Sequence, residues 1–243
     1  MAGTEDTANN FLDALLLALD LITEFNAGLI EIVSLSLSVS LSAVLIAASI
    51  GLPLGAALTV YNFRGRQISI VLLNALMGLP PVFIGLTVYL LLSRSGPLGA
   101  LDLLFTPTAM IIAQAILITP IVAALSRQTC QALYEIYEEQ LRSLGATPLN
   151  IMLTILWDAR ISLVTAIMAG FGRAIAEVGA VFIVGGNIEH FTRVMTTTIA
   201  LETSRGNLAL AMALGIILVL LSIVVNGVAS VTADSVSRSR ANR

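Results

Sequence analysis

The sequence contains no lysine and has little charge of either sign. All twelve basic residues are arginine, charged residues make up 11% of the 243 residues, and hydrophobic residues make up 57%. A soluble domain usually has roughly a quarter of its residues charged. This scarcity of charge excludes an ordinary soluble protein, and we expect an integral membrane protein.

Other absences exclude catalytic classes. A phosphate-binding loop of the form G-x-x-x-x-G-K-[ST] needs a lysine, so this chain is expected not to hydrolyse ATP. Cys130 is the only cysteine and His190 the only histidine, which leaves no intrachain disulfide and predicts no metal site. We therefore predict no catalytic residues, no cofactor bound by this chain and, from the absence of a basic N-terminal region, no signal peptide.

Long apolar runs are present instead, and several exceed the roughly 20 residues that a membrane-spanning helix needs. They predict an all-α membrane protein with five spans, at about residues 32–62, 68–93, 105–127, 161–185 and 207–233. One transmembrane domain fills residues 31–235. Residues 1–30 are predicted to form an external tail and an interfacial helix, and residues 236–243 a cytoplasmic tail.

Two of these spans contain unusual residues. Ser34, Ser38 and Ser42 would share one face of a helix, which suits close helix packing or, alternatively, a polar pathway. Pro80 and Pro81 fall within the second span and predict a kink or a break, because proline removes helical hydrogen bonds. A broken helix at membrane depth either lines a transport site or is a plain structural kink.

The stretch 132–160 is charged yet helical in pattern. Glu138 precedes Arg142 by four residues, the favourable order for an ion pair on a helix. Gly145 is expected to end that helix in a left-handed conformation, and Thr147 and Pro148 to begin another as its N-cap and first residue. The prediction is two short helices joined at Gly145, in a loop over residues 128–160.

Arginine distribution predicts the orientation. If the 128–160 loop is cytoplasmic, the N-terminus lies outside, the C-terminus lies inside, and most arginines outside the spans lie on the cytoplasmic side. These are Arg64, Arg66, Arg127, Arg142, Arg160, Arg238, Arg240 and Arg243, whereas Arg94, Arg193 and Arg205 are external. This satisfies the positive-inside rule.

The same loop carries a family resemblance. Glu139-Gln140-Leu141, Gly145 and Ile155 resemble, in identity and spacing, the EAA loop of ABC importer permeases, although Gln140-Leu141 replaces the usual alanines and Trp157-Asp158 the usual Leu-Pro. The resemblance implies a type I ABC importer permease fold and a coupling helix that binds a cytoplasmic ATPase. The residues then assigned to ATPase coupling are Glu138, Glu139, Arg142, Gly145, Ala146 and Pro148.

Two opposite charges interrupt the fourth predicted span. Arg173 lies thirteen residues beyond Arg160, which is roughly 20 Å along a helix, and Glu177 follows one turn later. Charges at membrane depth are costly and usually pair, and this spacing lets the two side chains meet. Arg173 either contributes positive potential to an anion pathway or, with Glu177, locks helices together. Pro80 and Pro81 are assigned the same two alternatives, substrate pathway or helix locking.

A closer resemblance extends from about residue 31 to residue 233. The segments 74–81, 93–97, 170–179, 185–187 and 199–206 resemble tungstate importer permeases, which are close kin of molybdate permeases. This resemblance implies a homodimer in the cytoplasmic membrane of a prokaryote, two ATPase subunits that use ATP and Mg²⁺, and an extracytoplasmic oxyanion-binding protein. Arg193 and Arg205 are candidate docking charges for that protein, or ordinary solvated charges.

An alternative function remains at this stage. The Arg173–Glu177 pair and the Pro80-Pro81 break would also suit an ion-coupled anion transporter or a channel that works without an ATPase. Such proteins have no need of the charged segment around Gly145. The two hypotheses are separated by whether activity requires an ATPase bound there.

Overall fold

The computed structural model describes residues 27–241 continuously and, before them, residues 15–16, 18–20 and 23, with side chains as far as residue 228. Every regular element in this part of the chain is helical. Most of the predicted tail and interfacial helix over residues 1–30 lies outside the described residues. The helices are α1 (Ala27–Val60), α2 (Arg66–Leu76), α3 (Pro81–Leu92), a 3₁₀ turn (Gly99–Leu101), α4 (Pro107–Ser143), α5 (Pro148–Ile175), α6 (Gly179–Gly185), α7 (Met195–Arg205) and α8 (Leu208–Ala241).

Four of these helices, α1, α4, α5 and α8, are long and apolar enough to cross a membrane, and α2 with α3 provides a fifth if the bent pair is one span. The predicted all-helical membrane fold with about five transmembrane helices is confirmed. The helices differ from the predicted spans mainly at their ends, because a hydrophobic run shows where lipid begins and not where a helix stops.

The second span is broken, in agreement with the effect expected of Pro80 and Pro81. Helix α2 ends at Leu76, α3 begins at Pro81, and their axes differ by 101°. Pro80 is the N-cap of α3 and Pro81 its first residue. Proline tolerates these positions because a helix leaves its first N–H groups unpaired in any case. The pair therefore starts a new helix rather than bending a continuous one.

The predicted pair of short, separate helices around Gly145 is wrong. The charged segment is the end of α4, which runs through 37 residues from Pro107 to Ser143, and the segment after the elbow is the start of α5. A helix of that length measures about 55 Å, well beyond the hydrocarbon thickness of about 30 Å. No glycine or proline lies between Pro120 and Gly145, so nothing ends the helix where the sequence becomes polar.

The fourth predicted span, 161–185, is not one continuous helix. Helix α5 begins at Pro148 and ends at Ile175, and the remaining residues form the separate short helix α6. The backbone break at Ala176–Val178 falls inside the predicted span, immediately before Gly179. No proline in the sequence indicates this break, and contacts with other helices support it.

The core is built on the extensive contact of α1 with α4. Gly55 allows this approach, because a Cβ atom there would lie 2.4 Å from the Ala123 carbonyl oxygen. Ser126 and Thr59 add hydrogen bonds between the helices, from Ser126 Oγ to the Leu52 carbonyl (2.9 Å) and from Thr59 Oγ1 to the Arg127 carbonyl (3.3 Å).

The prediction that Ser34, Ser38 and Ser42 form the packing face of α1 is wrong within the single chain. Ser34 and Ser38 are exposed, whereas Ser36 and Ser40 are buried, at 5% and 3% exposure. Ser36 Oγ accepts a hydrogen bond from the Met195 N–H at 2.8 Å. The serines all look alike in the sequence, and only the positions of α4 and α7 decide which ones are covered.

Candidate coupling elbow and membrane-embedded ion pair

The turn between α4 and α5 is a compact elbow held by the backbone. Gly145 has φ of 73°, in the left-handed region that glycine adopts without steric penalty. The Gly145 N–H donates to the Arg142 carbonyl, and the Ala146 N–H donates to the Leu141 carbonyl, both at 3.0 Å. These two bonds form a Schellman motif and satisfy carbonyls that the helix end would leave unpaired.

Helix α5 begins two residues later with a matching N-terminal cap. Thr147 Oγ1 accepts a hydrogen bond from the Asn150 N–H at 3.3 Å, and Pro148 occupies the first helical position. The predicted roles of Gly145, Thr147 and Pro148 in the local structure are confirmed. Both helix ends are satisfied within six residues, so the elbow has a defined shape.

A polar chain runs along the last two turns of α4. Arg142 Nη2 lies 2.8 Å from Glu138 Oε1, and Tyr134 joins the pair by donating its hydroxyl to Glu138 (2.8 Å) and accepting from Arg142 (3.1 Å). The hydrogen bond with Tyr134, followed by the nearby charges, raises the pKa of Arg142 above its ordinary value. The sequence predicted the Glu138–Arg142 pair but not the part played by Tyr134.

The elbow has one packed side and one open side. Leu141 and Ala146 pack against a buried cluster that includes Val60, Tyr134 and Ile155. On the open side, Glu139 and Gly145 are exposed beside several exposed apolar side chains. These are Leu144, at 82% exposure, and Leu149, Leu153 and Trp157. Contiguous exposed apolar surface rimmed by charge is typical of a protein-binding site.

The second candidate site lies at the break between α5 and α6. Arg173 is in the last turn of α5, and Glu177 follows the helix end. Arg173 Nη2 lies 3.3 Å from Glu177 Oε2, with side-chain exposures of 38% and 4%. The two charges therefore pair, as their spacing allows, although the helix predicted to carry both ends between them.

Glu177 makes further contacts that hold the break in place. Its Oε1 atom accepts a hydrogen bond from the Ala180 N–H at 3.2 Å, and its carbonyl accepts one from Thr196 Oγ1 at 2.7 Å. From the other side, Gln114 Nε2 donates to the Ala174 carbonyl at 3.0 Å. The buried Glu177 carboxylate thus joins α5 to α6, its backbone carbonyl adds a contact with α7, and α4 supports the end of α5.

The Pro80-Pro81 break lies against this one. A Cβ atom at Gly179 would come within 2.8 Å of Val82 Cγ2, and one at Gly85 within 2.7 Å of the Ala180 Cα. Helices α3 and α6 are thus in close contact. The structure brings Pro81, Arg173 and Glu177 into one region of the fold, where two interrupted helices meet.

The two arginines predicted to be external, Arg193 and Arg205, are ion-paired with nearby glutamates. Arg193 lies 3.0 Å from Glu189, and Arg205 lies 3.0 Å from Glu202. His190 Nδ1 lies 2.8 Å from Glu31 Oε2 at the start of α1, and the hydrogen bond to Glu31 raises the pKa of His190. Arg205 is 58% exposed and Arg193 only 15% exposed, so Arg205 is the more accessible of the two.

Sequence reasoning missed Gln114, Tyr134 and Thr196 as functional contributors. All three are buried. Gln114 and Thr196 contact residues outside their own helices, and Tyr134 contacts residues of its own helix. Gln114 offered one signal, since an amide in the middle of an apolar span requires hydrogen-bond partners. Tyr134 and Thr196 gave none.

Comparisons with known proteins agree with these features. Residues 47–238 match the family described as the binding-protein-dependent transport system inner membrane component. The chain is 42% identical over 203 residues to a probable anion ABC transporter permease protein of Haloferax volcanii, an alignment covering 82% of this chain and 88% of that protein.

Two further relatives are tungstate uptake system permease proteins. One, from Peptoclostridium acidaminophilum, is 41% identical over 211 residues, covering 87% of this chain and 92% of the relative. The other, from Campylobacter jejuni, is 36% identical over 166 residues, covering 68% and 70%. Together with the all-helical membrane fold and the capped elbow, these matches show that the chain belongs to the permease family of binding-protein-dependent ABC transporters, as a multi-pass component of the inner membrane.

Proposed function

We propose that this permease imports tungstate, or the similar oxyanion molybdate, by coupling its transport to ATP hydrolysis on a separate subunit. The observation that carries the proposal is the elbow at Gly145, where two membrane-spanning helices end together in a shaped and largely exposed surface. The substrate assignment is supported by the names of the relatives, two of which are tungstate uptake permeases. No feature of the described residues favours an ion-coupled transporter.

The elbow is proposed as the ATPase-coupling site. Glu138, Glu139, Arg142, Gly145, Ala146 and Pro148 form it, with Glu138 and Arg142 stiffening α4 and Gly145 to Pro148 setting the angle with α5. The exposed Leu144 supplies apolar surface that a partner would bury. Burial of a leucine side chain contributes roughly 1.5–3 kcal/mol, enough to make this residue an anchor.

The proposed assembly is a homodimer of this chain with two cytoplasmic ATPase subunits, which bind ATP and Mg²⁺, and an extracytoplasmic oxyanion-binding protein. One copy has few spans with which to enclose a pathway, and two copies around a twofold axis are the economical solution. Cytoplasmic coupling places the N-terminus outside and the C-terminus inside. Arg205 is the preferred docking charge for the binding protein, and Arg193 a minor one.

At the inner break, Arg173 and Glu177 are proposed to have different roles. Glu177 is buried and makes three polar contacts, so its role is to hold α5, α6 and α7 together. The Arg173 guanidinium keeps more than a third of its surface open, where its positive charge would attract a dianion passing between the two copies. Pro80 and Pro81 fix the start of α3, the helix that packs beside the break at Arg173 and Glu177.

The experiment is co-purification of the tagged permease from native membranes in mild detergent, followed by ATP hydrolysis with the binding protein and tungstate, molybdate or sulfate. We expect an ATPase to co-purify and hydrolysis to rise most with tungstate. Glu139→Arg should release the ATPase and abolish uptake, whereas Glu135→Arg, one turn earlier on α4, should retain both. An intact dimer without any ATPase would contradict the proposal.

A further inference from the structure

A groove on the surface of the fold runs between α1 and α5. It has a volume of about 430 Å³ and is lined chiefly by Ser49, Leu52 and Pro53 of α1 and by Arg160, Leu163 and Ile167 of α5. Its wall is apolar apart from Ser49 near the middle and Arg160 near one end. Ser49 already donates its hydroxyl to the Leu45 carbonyl at 2.7 Å, so the groove has little to offer a polar ligand below Arg160.

The position of Arg160 coincides with the polar boundary of the bundle. Leu52 and Gly55 of α1 lie beside Ser126 and Arg127 of α4, where the apolar part of α4 ends. Arg160 faces the same turn of α1, since Leu52 and Pro53 line the groove with it. From Arg160 to Ile167 the groove extends seven residues into the bundle, about 10 Å, within one bilayer leaflet of about 15 Å.

The Arg160 guanidinium has no carboxylate partner among the described residues. It lies 4.4 Å from the centre of the Trp157 ring and donates from Nη1 to the Trp157 carbonyl. Tryptophan is enriched at the level of lipid headgroups, and an arginine there needs an anion. A lipid phosphate would provide the missing charge, and the groove below it would take an acyl chain.

We propose that this groove binds one anionic phospholipid, with its phosphate at Arg160 and one chain lying along Leu163 and Ile167. On the orientation proposed above, the lipid belongs to the cytoplasmic leaflet. A second copy of the chain is a poorer occupant. Contact of the groove with its own twofold mate would bury Arg160 of both copies, and no carboxylate lines the groove to compensate the charge.

Trp157 gives a direct readout, because it is the only tryptophan in the chain and it contacts Arg160. The full-length protein would be reconstituted in phosphatidylcholine vesicles containing either dibromo-phosphatidylglycerol or dibromo-phosphatidylcholine, whose bromine atoms quench nearby tryptophan fluorescence. We expect half-maximal quenching at about fivefold lower mole fraction of phosphatidylglycerol, the preference that one basic residue near the surface provides.

Three variants make the test specific. Arg160→Gln should remove the preference for phosphatidylglycerol, Arg160→Lys should retain part of it, and Arg64→Gln, which removes another exposed arginine near the cytoplasmic end of α1, should leave it unchanged. Ser49→Phe fills the groove and should weaken quenching by both brominated lipids while leaving Arg160 in place. Circular dichroism and elution as a single species verify that each variant is folded.

Equal quenching of the original protein by the two lipids would overturn the proposal, as would an unchanged preference in folded Arg160→Gln. A third contrary result is efficient disulfide cross-linking of Ser49→Cys between copies, together with weak quenching by both lipids. That outcome would assign the groove to the interface of the homodimer. Because no ATPase or oxyanion enters the assay, its result is independent of the transport assignment.

Discussion

The elbow at Gly145 and the break at Ala176–Val178 both join two helices, but they are held by different kinds of contact. At the elbow, the hydrogen bonds connect residues within five positions of each other, and much of the surface is exposed. At the inner break, Glu177 is almost fully buried, and its short-range contacts with Arg173 and Ala180 are joined by bonds from Gln114 on α4 and Thr196 on α7. The elbow is therefore a locally determined structure with an exposed surface, and the break needs tertiary contacts as well and is enclosed by the fold.

This difference separates two functional demands. A coupling surface must keep its shape while neighbouring subunits bind and move, and short-range bonds provide that shape without support from the rest of the protein. A break inside a membrane exposes backbone groups to a solvent that cannot hydrogen-bond them. It therefore depends on distant side chains, and movement of any of the helices that supply them would alter it.

The largest expected effect is at Glu177. Glu177→Leu leaves the buried Ala180 N–H without its acceptor, at a cost of about 1–3 kcal/mol, and it removes the carboxylate that pairs with the partly exposed Arg173. We expect both assembly in the membrane and uptake to be lost, measured by size-exclusion chromatography and radiolabelled oxyanion uptake. Glu177→Gln keeps an oxygen acceptor and should assemble normally.

The uptake of Arg173→Ala should be compared with that of Glu177→Gln. If Arg173 attracts the anion, Arg173→Ala should lower uptake more than Glu177→Gln while the protein still assembles. Equal losses of uptake accompanied by poor assembly would show instead that the pair is purely structural.

Gly145 offers the next test, with Gly206 as its matched control. Both glycines are left-handed helix caps, with φ of 73° and 81°, and neither would meet another atom on gaining a Cβ. An alanine forced into this conformation costs about 1–2 kcal/mol. We expect Gly145→Ala to reduce uptake and Gly145→Pro to abolish it, with assembly retained.

Gly206→Ala introduces the same strain at the C-terminal end of α7 and should leave ATPase binding unchanged. If Gly145→Pro transports normally, the elbow has no coupling role. If the two alanine variants weaken ATPase binding equally, the effect is general destabilisation. Co-purified ATPase per permease is the quantity to compare.

A smaller effect is expected at Tyr134. Tyr134→Phe removes the hydroxyl that joins Glu138 to Arg142 but leaves their direct contact and the ring packing in place. The two hydrogen bonds of this hydroxyl go to a carboxylate and a guanidinium that are 37% and 57% exposed, so water screens them and their net contribution to stability is small. We expect a modest fall in thermal stability and little change in uptake; a large loss of ATPase binding would mean that the hydroxyl itself reaches the partner.

The smallest expected effect is the pH dependence of the contact between His190 and Glu31. The hydrogen bond to Glu31 raises the pKa of His190 from its ordinary value of 6.5. A raised pKa means that the contact stabilises the folded protein fully below 6.5 and loses that contribution as the pH rises through the higher value. NMR titration of the single histidine should give a pKa above 6.5, and Glu31→Gln should return it towards 6.5; an unchanged pKa would show that the contact is absent in solution.

The same difference between the two regions explains what could be predicted. Gly145, Thr147 and Pro148 indicated the elbow because glycine and a capped proline have conformational preferences that hold in any surroundings. The end of α5 at Ile175 carried no such signal, because it depends on Gln114 being supplied from α4. The continuity of α4 past Cys130 was missed because polarity was taken to mark the end of a helix, although polar residues continue a helix where no helix breaker or tertiary contact interrupts it.

The uninterrupted length of α4 has a mechanical consequence. Its one internal soft point is Pro120, which cannot donate a backbone hydrogen bond and so lowers the local bending stiffness. From there the rod extends about 35 Å to Ser143 and about 20 Å to Pro107. A displacement at the elbow would therefore swing the longer arm about the proline while the shorter arm stays packed against its neighbours. Motion that begins at the elbow would then be absorbed as bending at one point of α4, and the far end of the helix would hold its position.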